Sequence, residues 1–181
     1  RRQRQMCIRD REIIDDILKI SRLDERDFEL SKSQIDLKDE MDTIIKKFAH
    51  ASDKRGLRVI NRLDNFKIYS QKSLFVDLLS NIYENAIKYN KEGGEIEIYS
   101  LLEASSIKLC IRDTGIGIAN SDIKRVFERF YVVDKSRDRK VKSTGLGLSI
   151  VKHIADYLEM DISLESTLGE GSTFIININL E

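Results

Sequence analysis

The 181-residue chain contains no proline, no tryptophan and only two cysteines. Average usage of about 5% would give roughly nine prolines in a chain of this length, so motifs that depend on proline are excluded. Cys7 and Cys110 lie in unrelated contexts without metal-ligand spacing. They are interpreted as small apolar residues of a reduced compartment rather than as a disulfide framework.

The chain also lacks an excess of charge of either sign. It has 31 Lys and Arg and 31 Asp and Glu, so the net charge is zero. Nucleic acid and anionic membranes are therefore not expected as partners, and any anion site must be local. No apolar run approaches the roughly 18 to 20 residues of a membrane-spanning helix, and the basic start RRQRQMC lacks the apolar stretch of a signal peptide. We predict a soluble, cytoplasmic segment.

Hydrophobic periodicity predicts a two-layer α/β sandwich. Residues 1–31 carry isoleucines at helical spacing, which predict one amphipathic helix that packs either on the following domain or on a partner helix. Residues 32–181 alternate between strands and helices, including a long helix from Gln71 to Asn90 and a hairpin closed by Glu103 to Ser106. The expected result is a mixed, largely antiparallel sheet with helices on one side. The predicted strands are SQIDL, LRVINRL, FKIYS, GEIEIYSLL, SIKLCIRD, DISLES and STFIININL, and the other predicted helices are KDEMDTIIKKFAHASDKRG, SDIKRVFERF and GLGLSIVKHIADYL.

Three polar side chains share one face of the long predicted helix. Asn81 and Asn85 are four residues apart, and Lys88 lies about one turn beyond Asn85. Amide oxygens and an ammonium group suit a hydrated magnesium ion and the phosphates that it bridges, because hard cations prefer oxygen ligands. The alternative is an ordinary polar helix face.

Two Gly-x-Gly pairs follow this helix. Gly115 and Gly117 come directly after Asp113, at the end of a predicted strand. A carboxylate there can accept a hydrogen bond from the amine of a nucleobase, and bare backbone can approach a flat ring closely. The alternative is a simple Asp-x-Gly turn.

The second pair, Gly145 and Gly147, opens a predicted helix. The first amides of a helix have no partner within it, so such an end can bind phosphate. An ordinary glycine-rich helix entry is the alternative. Neither the Walker pattern nor the three-glycine Rossmann pattern is present.

The motifs NIYENAIKY, DTGIGI, FERFY, TGLGLSIVKHI and GEGSTF occur in an order that resembles the ATP-binding domain of bacterial sensor histidine kinases. The resemblance covers about residues 33–181 and extends to gyrase, chaperone and mismatch-repair ATPases. It implies a sandwich that holds ATP and Mg²⁺ under a flexible lid between Tyr131 and Thr144. Phe127 and Phe130 would anchor that lid, with core packing as their alternative role.

The resemblance also implies roles for individual residues. Asn85 would ligate magnesium, with Asn81 nearby, and Asp113 would read the adenine amine. Lys88 and Arg129 would contact phosphate, and these two with Asn81 form the expected catalytic set. The remaining expected nucleotide contacts are Tyr89, Gly115, Gly117, Ile118, Thr144, Gly145, Leu146, Gly147, Leu148 and Thr173.

Two departures from the family pattern stand out. Val132 occupies a position where relatives often have arginine, and Lys135, Arg137 or Arg139 could substitute. The family's acceptor histidine precedes an acidic residue and a proline, and neither His50 nor His153 has that context, so both are interpreted as structural.

These observations predict a protein-histidine kinase module. Residues 1–31 resemble the end of the dimerisation hairpin, so the acceptor histidine is expected outside this segment and the parent protein is expected to be a homodimer. The phosphoryl group would pass to the receiver domain of a response regulator. The alternatives are a nucleotide-binding regulatory module without transfer activity and an ATP hydrolase. The hydrolase is less favoured because the chaperone branch has a glutamate base where Asn81 stands.

Overall fold

The computed structural model describes residues 31–133 and 144–180. Residues 1–30 of the amphipathic helix predicted for residues 1–31 lie outside the described residues, and so do Lys135, Arg137, Arg139 and most of the predicted lid. None of the helices in the described ranges combines the length and the apolar character needed to cross a membrane.

The main sheet has five strands in the order β2-β4-β5-β7-β6. Strand β2 pairs with β4 in parallel, and the other neighbours are antiparallel, which confirms a mixed, largely antiparallel sheet. The hairpin predicted around residues 103–106 joins β4 to β5. The strands of this sheet are β2 (Arg58–Arg62), β4 (Glu95–Leu102), β5 (Ser106–Asp113), β6 (Asp161–Thr167) and β7 (Gly171–Asn179).

Three helices cover one face of this sheet. They are α1 (Leu37–Lys54), α2 (Lys72–Lys88) and α3 (Gly147–Tyr157). Alternate residues of β5, including Leu109 and Ile111, are fully buried beneath the helices, whereas Lys108 and Arg112 point to the other face. The predicted two-layer sandwich is therefore confirmed.

Local sequence explains where α1 begins and ends. The Asp36 carboxylate accepts hydrogen bonds from the amides of Lys38 and Asp39, which caps the first turn. At the other end Arg55 is the C-cap, and Gly56 follows with a φ of 61°. That left-handed conformation suits glycine and stops the helix.

Two predicted strands form a separate antiparallel ribbon outside the main sheet. Strand β1 (Ser33–Asp36) pairs with β3 (Lys67–Ser70), and Ile35 lies opposite Ile68. Both isoleucines are buried in the core. The ribbon thus adds apolar cover beside the helices instead of widening the sheet.

The helix predicted from SDIKRVFERF is wrong over most of its length. Only a 3₁₀ turn at Arg125–Phe127 forms. The amides of Arg125 and Glu128 each donate to the carbonyl three residues earlier, and Phe130 has a φ of 64°, which ends any helix. Burial of Val126 fixes the turn on the core.

Candidate functional site

Asp113 ends β5 as a buried carboxyl group that is only 6% exposed. Its Oδ1 accepts a hydrogen bond from the Gly115 amide at 2.8 Å. Burial raises the pKa of Asp113 from 3.8 to about 6, and the backbone hydrogen bonds of Gly115 and Ser172 oppose that rise. A desolvated carboxylate gains strongly from any donor that reaches it, so this group suits recognition of an amine.

The glycines after Asp113 permit close backbone packing. A Cβ on Gly115 would lie 2.4 Å from the Tyr89 carbonyl oxygen, and one on Gly117 would lie 1.9 Å from the Thr167 carbonyl oxygen. The Ile116 amide donates to the same Tyr89 oxygen at 3.1 Å. The segment after β5 is thus pressed against the C-terminal end of α2 and against the end of β6.

Strand register places Thr173 on the face of the sheet opposite to Asp113. Asp113 lies opposite Ser172, whereas Thr173 lies opposite Arg112, so its side chain points to the other face of the sheet. The structure therefore does not bring Thr173 beside Asp113 as expected, and Ser172 stands there instead. The alternation of apolar and polar residues along β7 could have pointed to Ser172 in the sequence. Phe174, Ile176 and Ile178 are buried on the face that Ser172 shares.

Ser172 belongs to a small hydroxyl network that also holds Ile118. The Ser166 hydroxyl lies 3.0 Å from the Ser172 hydroxyl, and it donates to the Gly171 carbonyl oxygen at 2.8 Å. The Ile118 amide donates to the Ser166 oxygen at 2.8 Å. This network ties the segment after Asp113 to the edge of the sheet.

The asparagines of α2 face the first residue of α3. A Cβ placed on Gly147 would lie 3.4 Å from Asn81 Oδ1 and 3.9 Å from Asn85 Nδ2. Asn81 Nδ2 donates to the Asp77 carbonyl oxygen at 2.8 Å, which leaves the Asn81 oxygen directed at the helix start. The structure thus brings Asn81, Asn85 and Gly147 together, with the Asn81 oxygen and the Asn85 amide nitrogen facing the start of α3.

Further along α2, Lys88 Nζ lies 5.6 Å from the centroid of the Tyr89 ring. The side chain therefore stays beside the residue that receives the Ile116 amide. Tyr89 thus adjoins both Lys88 and Gly115 where α2 ends.

Gly145 and Phe130 close the base of the predicted lid. The Phe130 amide donates to the Gly145 carbonyl oxygen at 2.9 Å, and a Cβ on Gly145 would lie 2.8 Å from the Phe130 carbonyl carbon. The Thr144 hydroxyl accepts from the Leu146 amide at 3.3 Å. Leu146 is buried, and Leu148 packs against the core. Residues 130 and 145 therefore meet, although 14 residues separate them in sequence.

The aromatic residues beside the predicted lid behave differently from one another. Phe127 packs against the core, which agrees with its alternative reading, whereas Phe130 is 62% exposed. The Tyr131 hydroxyl donates to Asp122 Oδ1 at 2.9 Å, and the Arg125 guanidinium lies 4.2 Å from its ring centroid. These contacts fix the chain where the predicted lid begins.

Arg129 reaches α3 rather than α2. Its Nη2 atom lies 3.0 Å from Nε2 of His153, so the imidazole accepts a hydrogen bond from the guanidinium. His153 is therefore in contact with an expected phosphate-binding residue, a proximity that sequence reasoning missed. His50 is exposed on α1, away from these groups.

Comparison with known proteins identifies the family. The model of the histidine kinase-, DNA gyrase B- and HSP90-like ATPases matches residues 70–181. The chain belongs to this ATPase family. It is 32% identical over 170 residues to the sensor histidine kinase WalK of Bacillus subtilis (strain 168), covering 92% of this chain and 28% of WalK. The chain thus spans less than a third of that relative.

Solved structures of histidine kinases share the fold. The histidine kinase AdeS of Acinetobacter baumannii matches with a TM-score of 0.78 and 25% identity, covering 94% of this chain and 78% of that chain. Histidine kinase ThkA in complex with the response regulator protein TrrA matches with a TM-score of 0.73 and 20% identity, covering 96% and 50%.

Membership of this ATPase family makes the chain an ATP-binding domain. The geometry fits that ligand on two independent grounds. Asp113 offers a buried acceptor for an amine. Gly147 places no side chain beside the first amides of α3, and no described side chain caps that helix.

Proposed function

We propose that this chain is the catalytic ATP-binding domain of a sensor histidine kinase. It positions ATP so that a histidine outside these residues attacks the γ-phosphorus, and the phosphoryl group then passes to an aspartate of a response regulator. The observation that carries the proposal is that α2 contacts both halves of the site. Its asparagines face Gly147, and its C-terminal end receives the backbone that follows Asp113.

In this proposal Asp113 accepts a hydrogen bond from the exocyclic amine of adenine. The glycine backbone of residues 115–117 forms the adjoining wall, with Tyr89, Ile118 and Ser172 around it. Guanine presents a carbonyl oxygen where adenine presents its amine, and an ionised carboxylate repels that oxygen. The site therefore favours ATP over GTP.

The phosphate half is built from the start of α3. Amides of residues 145–148 face the phosphates, where the positive end of the helix dipole favours negative charge. Lys88 and Arg129 supply cations that neutralise charge on the transferring group. Positioning and charge stabilisation thus account for most of the proposed catalysis.

Magnesium fits the same place. The described part of the chain has no cluster of three or more His, Cys, Asp and Glu side chains that could hold a metal on its own. Asn85 would provide an amide oxygen, and the phosphates and water would provide the other ligands. When bound, Mg²⁺ neutralises phosphate charge and fixes the phosphate geometry. Asn81 supports this site through its own oxygen, which the Asp77 carbonyl orients.

The proposed partners follow from the relatives. The relative WalK of Bacillus subtilis is a sensor histidine kinase, and the structure of ThkA was solved in complex with a response regulator protein. We extend these properties to this chain as a cytoplasmic module with a receiver domain as partner, within a parent protein that dimerises through the helices preceding residue 32.

A second function, nucleotide binding without phosphoryl transfer, is favoured by one residue. Val132 follows Tyr131, where the family often supplies an arginine. Valine cannot neutralise charge on the transferring group, so Arg129 has to act with fewer cations. Affinity for ATP would then persist while transfer is lost.

A transfer assay tests the two functions. The chain is mixed with a histidine-bearing hairpin domain of a sensor kinase and γ-labelled ATP with Mg²⁺. Acid-labile label on the hairpin is expected for the kinase. Asn85→Ala should reduce labelling by roughly 100-fold, because a group that positions charge in phosphoryl transfer carries an effect of this order. Asn120→Ala, an exposed asparagine of a turn, serves as the matched control and should retain activity.

Tight ATP binding without label on the hairpin would favour the regulatory module. Equal labelling by Asn85→Ala and by the parent chain would contradict the role of Asn85. Absence of ATP binding by the parent chain would contradict both functions.

A further inference from the structure

Asn90 lies just beyond α2 and is only 3% exposed. Its Oδ1 accepts hydrogen bonds from the Lys91 amide at 3.0 Å and from the Thr114 hydroxyl at 3.3 Å. Its Nδ2 donates to the Glu95 carbonyl oxygen at 3.0 Å. One side chain thus joins the end of α2 to the start of β4 and to the residue that follows Asp113.

The network around Asn90 is closed and tightly packed. The Glu95 amide donates to the Thr114 oxygen at 2.8 Å. A Cβ on Gly94 would lie 2.3 Å from Asn90 Oδ1 and 2.9 Å from Thr114 Oγ1, so no larger residue fits between them. A partly buried network of this kind resists displacement, because breaking a bond to the buried Asn90 side chain would leave one of its polar atoms unsatisfied.

Arg55 connects this network to α1. Its guanidinium Nη2 donates to the main-chain oxygen of Asn90, and its own carbonyl oxygen accepts from the Gly93 amide at 3.0 Å. Its Nε atom is buried and has no partner among the described residues. Through this hydrogen bond the guanidinium contacts the segment that links α2 to β4.

The segment held by Arg55 also bears on the nucleotide site. Tyr89 O accepts from the Ile116 amide, and a Cβ on Gly115 would lie 3.0 Å from the Asn90 Cα. A shift of residues 89–90 would move either the asparagine face of α2 or the backbone beside Asp113. The spacing between the two halves of the site therefore depends on this segment.

We propose that Arg55 is a positioning residue for the nucleotide site. Acting through Asn90, it fixes the phosphate-facing helix α2 relative to the base-facing residues 113–117, although α1 supplies no expected nucleotide contact. This inference rests on the proposed function, because it concerns how both halves of the same ATP site engage one ligand.

The test compares Arg55→Met with Arg58→Met in the 181-residue chain. Methionine keeps an apolar stem and removes the donors. Arg58 is a matched control, since it lies three residues away, its side chain is 76% exposed, and its guanidinium pairs with Glu95 at 3.5 Å. Binding of ATP with Mg²⁺, of adenosine, and of tripolyphosphate with Mg²⁺ is measured by NMR titration and calorimetry, together with thermal unfolding.

Arg55→Met should weaken ATP binding about tenfold, because hydrogen bonds to charged groups are among the stronger ones and only part of this effect reaches the site. The affinities for adenosine and for tripolyphosphate should each fall by less than roughly threefold. Each of these ligands occupies one half of the site, so its binding does not depend on the spacing between the two halves. Arg58→Met should stay within about twofold for all three ligands, in line with an exposed ion pair. Arg55→Lys should recover most of the ATP affinity, because it restores a cationic donor.

Two results would overturn the inference while leaving the proposed function intact. One is ATP binding by Arg55→Met within twofold of a parent chain that binds normally. The other is equal weakening of all three ligands in step with lowered thermal stability, which would make Arg55 a purely structural residue. Failure of the parent chain to bind ATP would instead overturn the proposed function, and this inference with it.

Discussion

At the residue scale, burial and hydrogen bonding have opposite effects on the pKa of Asp113. Burial disfavours the ionised form and raises the pKa from 3.8 to about 6, while the backbone bonds of Gly115 and Ser172 favour the ionised form. The folded chain therefore binds more protons than the unfolded chain between these two values. Its free energy of unfolding has a contribution that is complete below pH 3.8 and is lost as the pH rises through 6.

Asp113→Asn should remove this pH dependence. The amide keeps an oxygen that can accept from Gly115 but cannot ionise. Relative to the parent, the variant should gain stability as the pH rises from 4 to 7, by about 3 kcal/mol at most, because each pKa unit corresponds to roughly 1.4 kcal/mol. Urea unfolding at several pH values measures this difference.

The matched control for that prediction is Asp161→Asn, an exposed aspartate at the start of β6. It should follow the parent curve. If the free energy of unfolding of Asp113→Asn changed with pH in parallel with that of the parent chain, the Asp113 carboxyl would titrate as an ordinary exposed group. ATP affinity should also fall sharply in Asp113→Asn, since an acceptor-only group is replaced by one that also presents donors.

Sequence patterns reveal some of these residues and not others. Asp113, Asn81, Asn85 and Gly147 could be chosen as candidates because their chemistry and spacing are local. Ser172 was missed for Thr173 because the facing of a strand residue depends on register, and one position reverses it. The partnership of Arg55 with Asn90 has a separation of 35 residues and leaves no local signal.

At the element scale, α2 was predicted almost to its ends. Its apolar residues recur at helical spacing, and Gly93 follows with a φ of 68°. By contrast, the parallel pairing of Arg58–Arg62 with β4 joins segments 37 positions apart, as at Arg58 and Glu95, and is fixed only by tertiary contacts. The helix predicted around residues 125–127 was too long because its polar start resembles a helix cap. Hydrophobic periodicity does not reveal the left-handed backbone of Phe130, which follows the turn.

Gly145→Ala tests how the two ends of the predicted lid are joined. Gly145 has a φ of 69°, and the added Cβ would lie 2.8 Å from the Phe130 carbonyl carbon. The strained φ costs about 1–2 kcal/mol, and the contact requires the Phe130 backbone to move. We expect ATP affinity to fall roughly tenfold, which corresponds to about 1.4 kcal/mol in binding. Calorimetry with Mg-ATP measures it.

Gly56→Ala provides the matched control. Gly56 has a φ of 61°, but an added Cβ would meet only ordinary contacts, the nearest at 3.9 Å. Both variants should lose stability through the strained φ, and only Gly145→Ala should lose ATP affinity. Equal affinity in the two variants would mean that contact between residues 130 and 145 has no part in nucleotide binding.

At the scale of the whole molecule, folding alone assembles the site. Asn81 and Asn85 belong to α2, Asp113 belongs to β5, and Gly147 begins α3. The sheet presents Asp113 at the end of its central strand, and the helix layer places the other groups beside it. A ligand that spans these elements binds only the folded chain and must therefore raise its stability.

This linkage gives a prediction that distinguishes adenine from guanine. At a concentration 100 times its dissociation constant, Mg-ATP should stabilise the fold by about 2.7 kcal/mol, or roughly 5–10 °C in the unfolding midpoint for a chain of this size. The same concentration of Mg-GTP should produce a much smaller shift, because its base directs an oxygen rather than an amine at Asp113. Thermal unfolding with each nucleotide measures both shifts. Addition of a metal chelator should reduce the shift produced by ATP, because it removes Mg²⁺. Equal shifts with ATP and GTP would mean that the phosphate half alone drives binding, and Asp113 would then have no role in choosing the base.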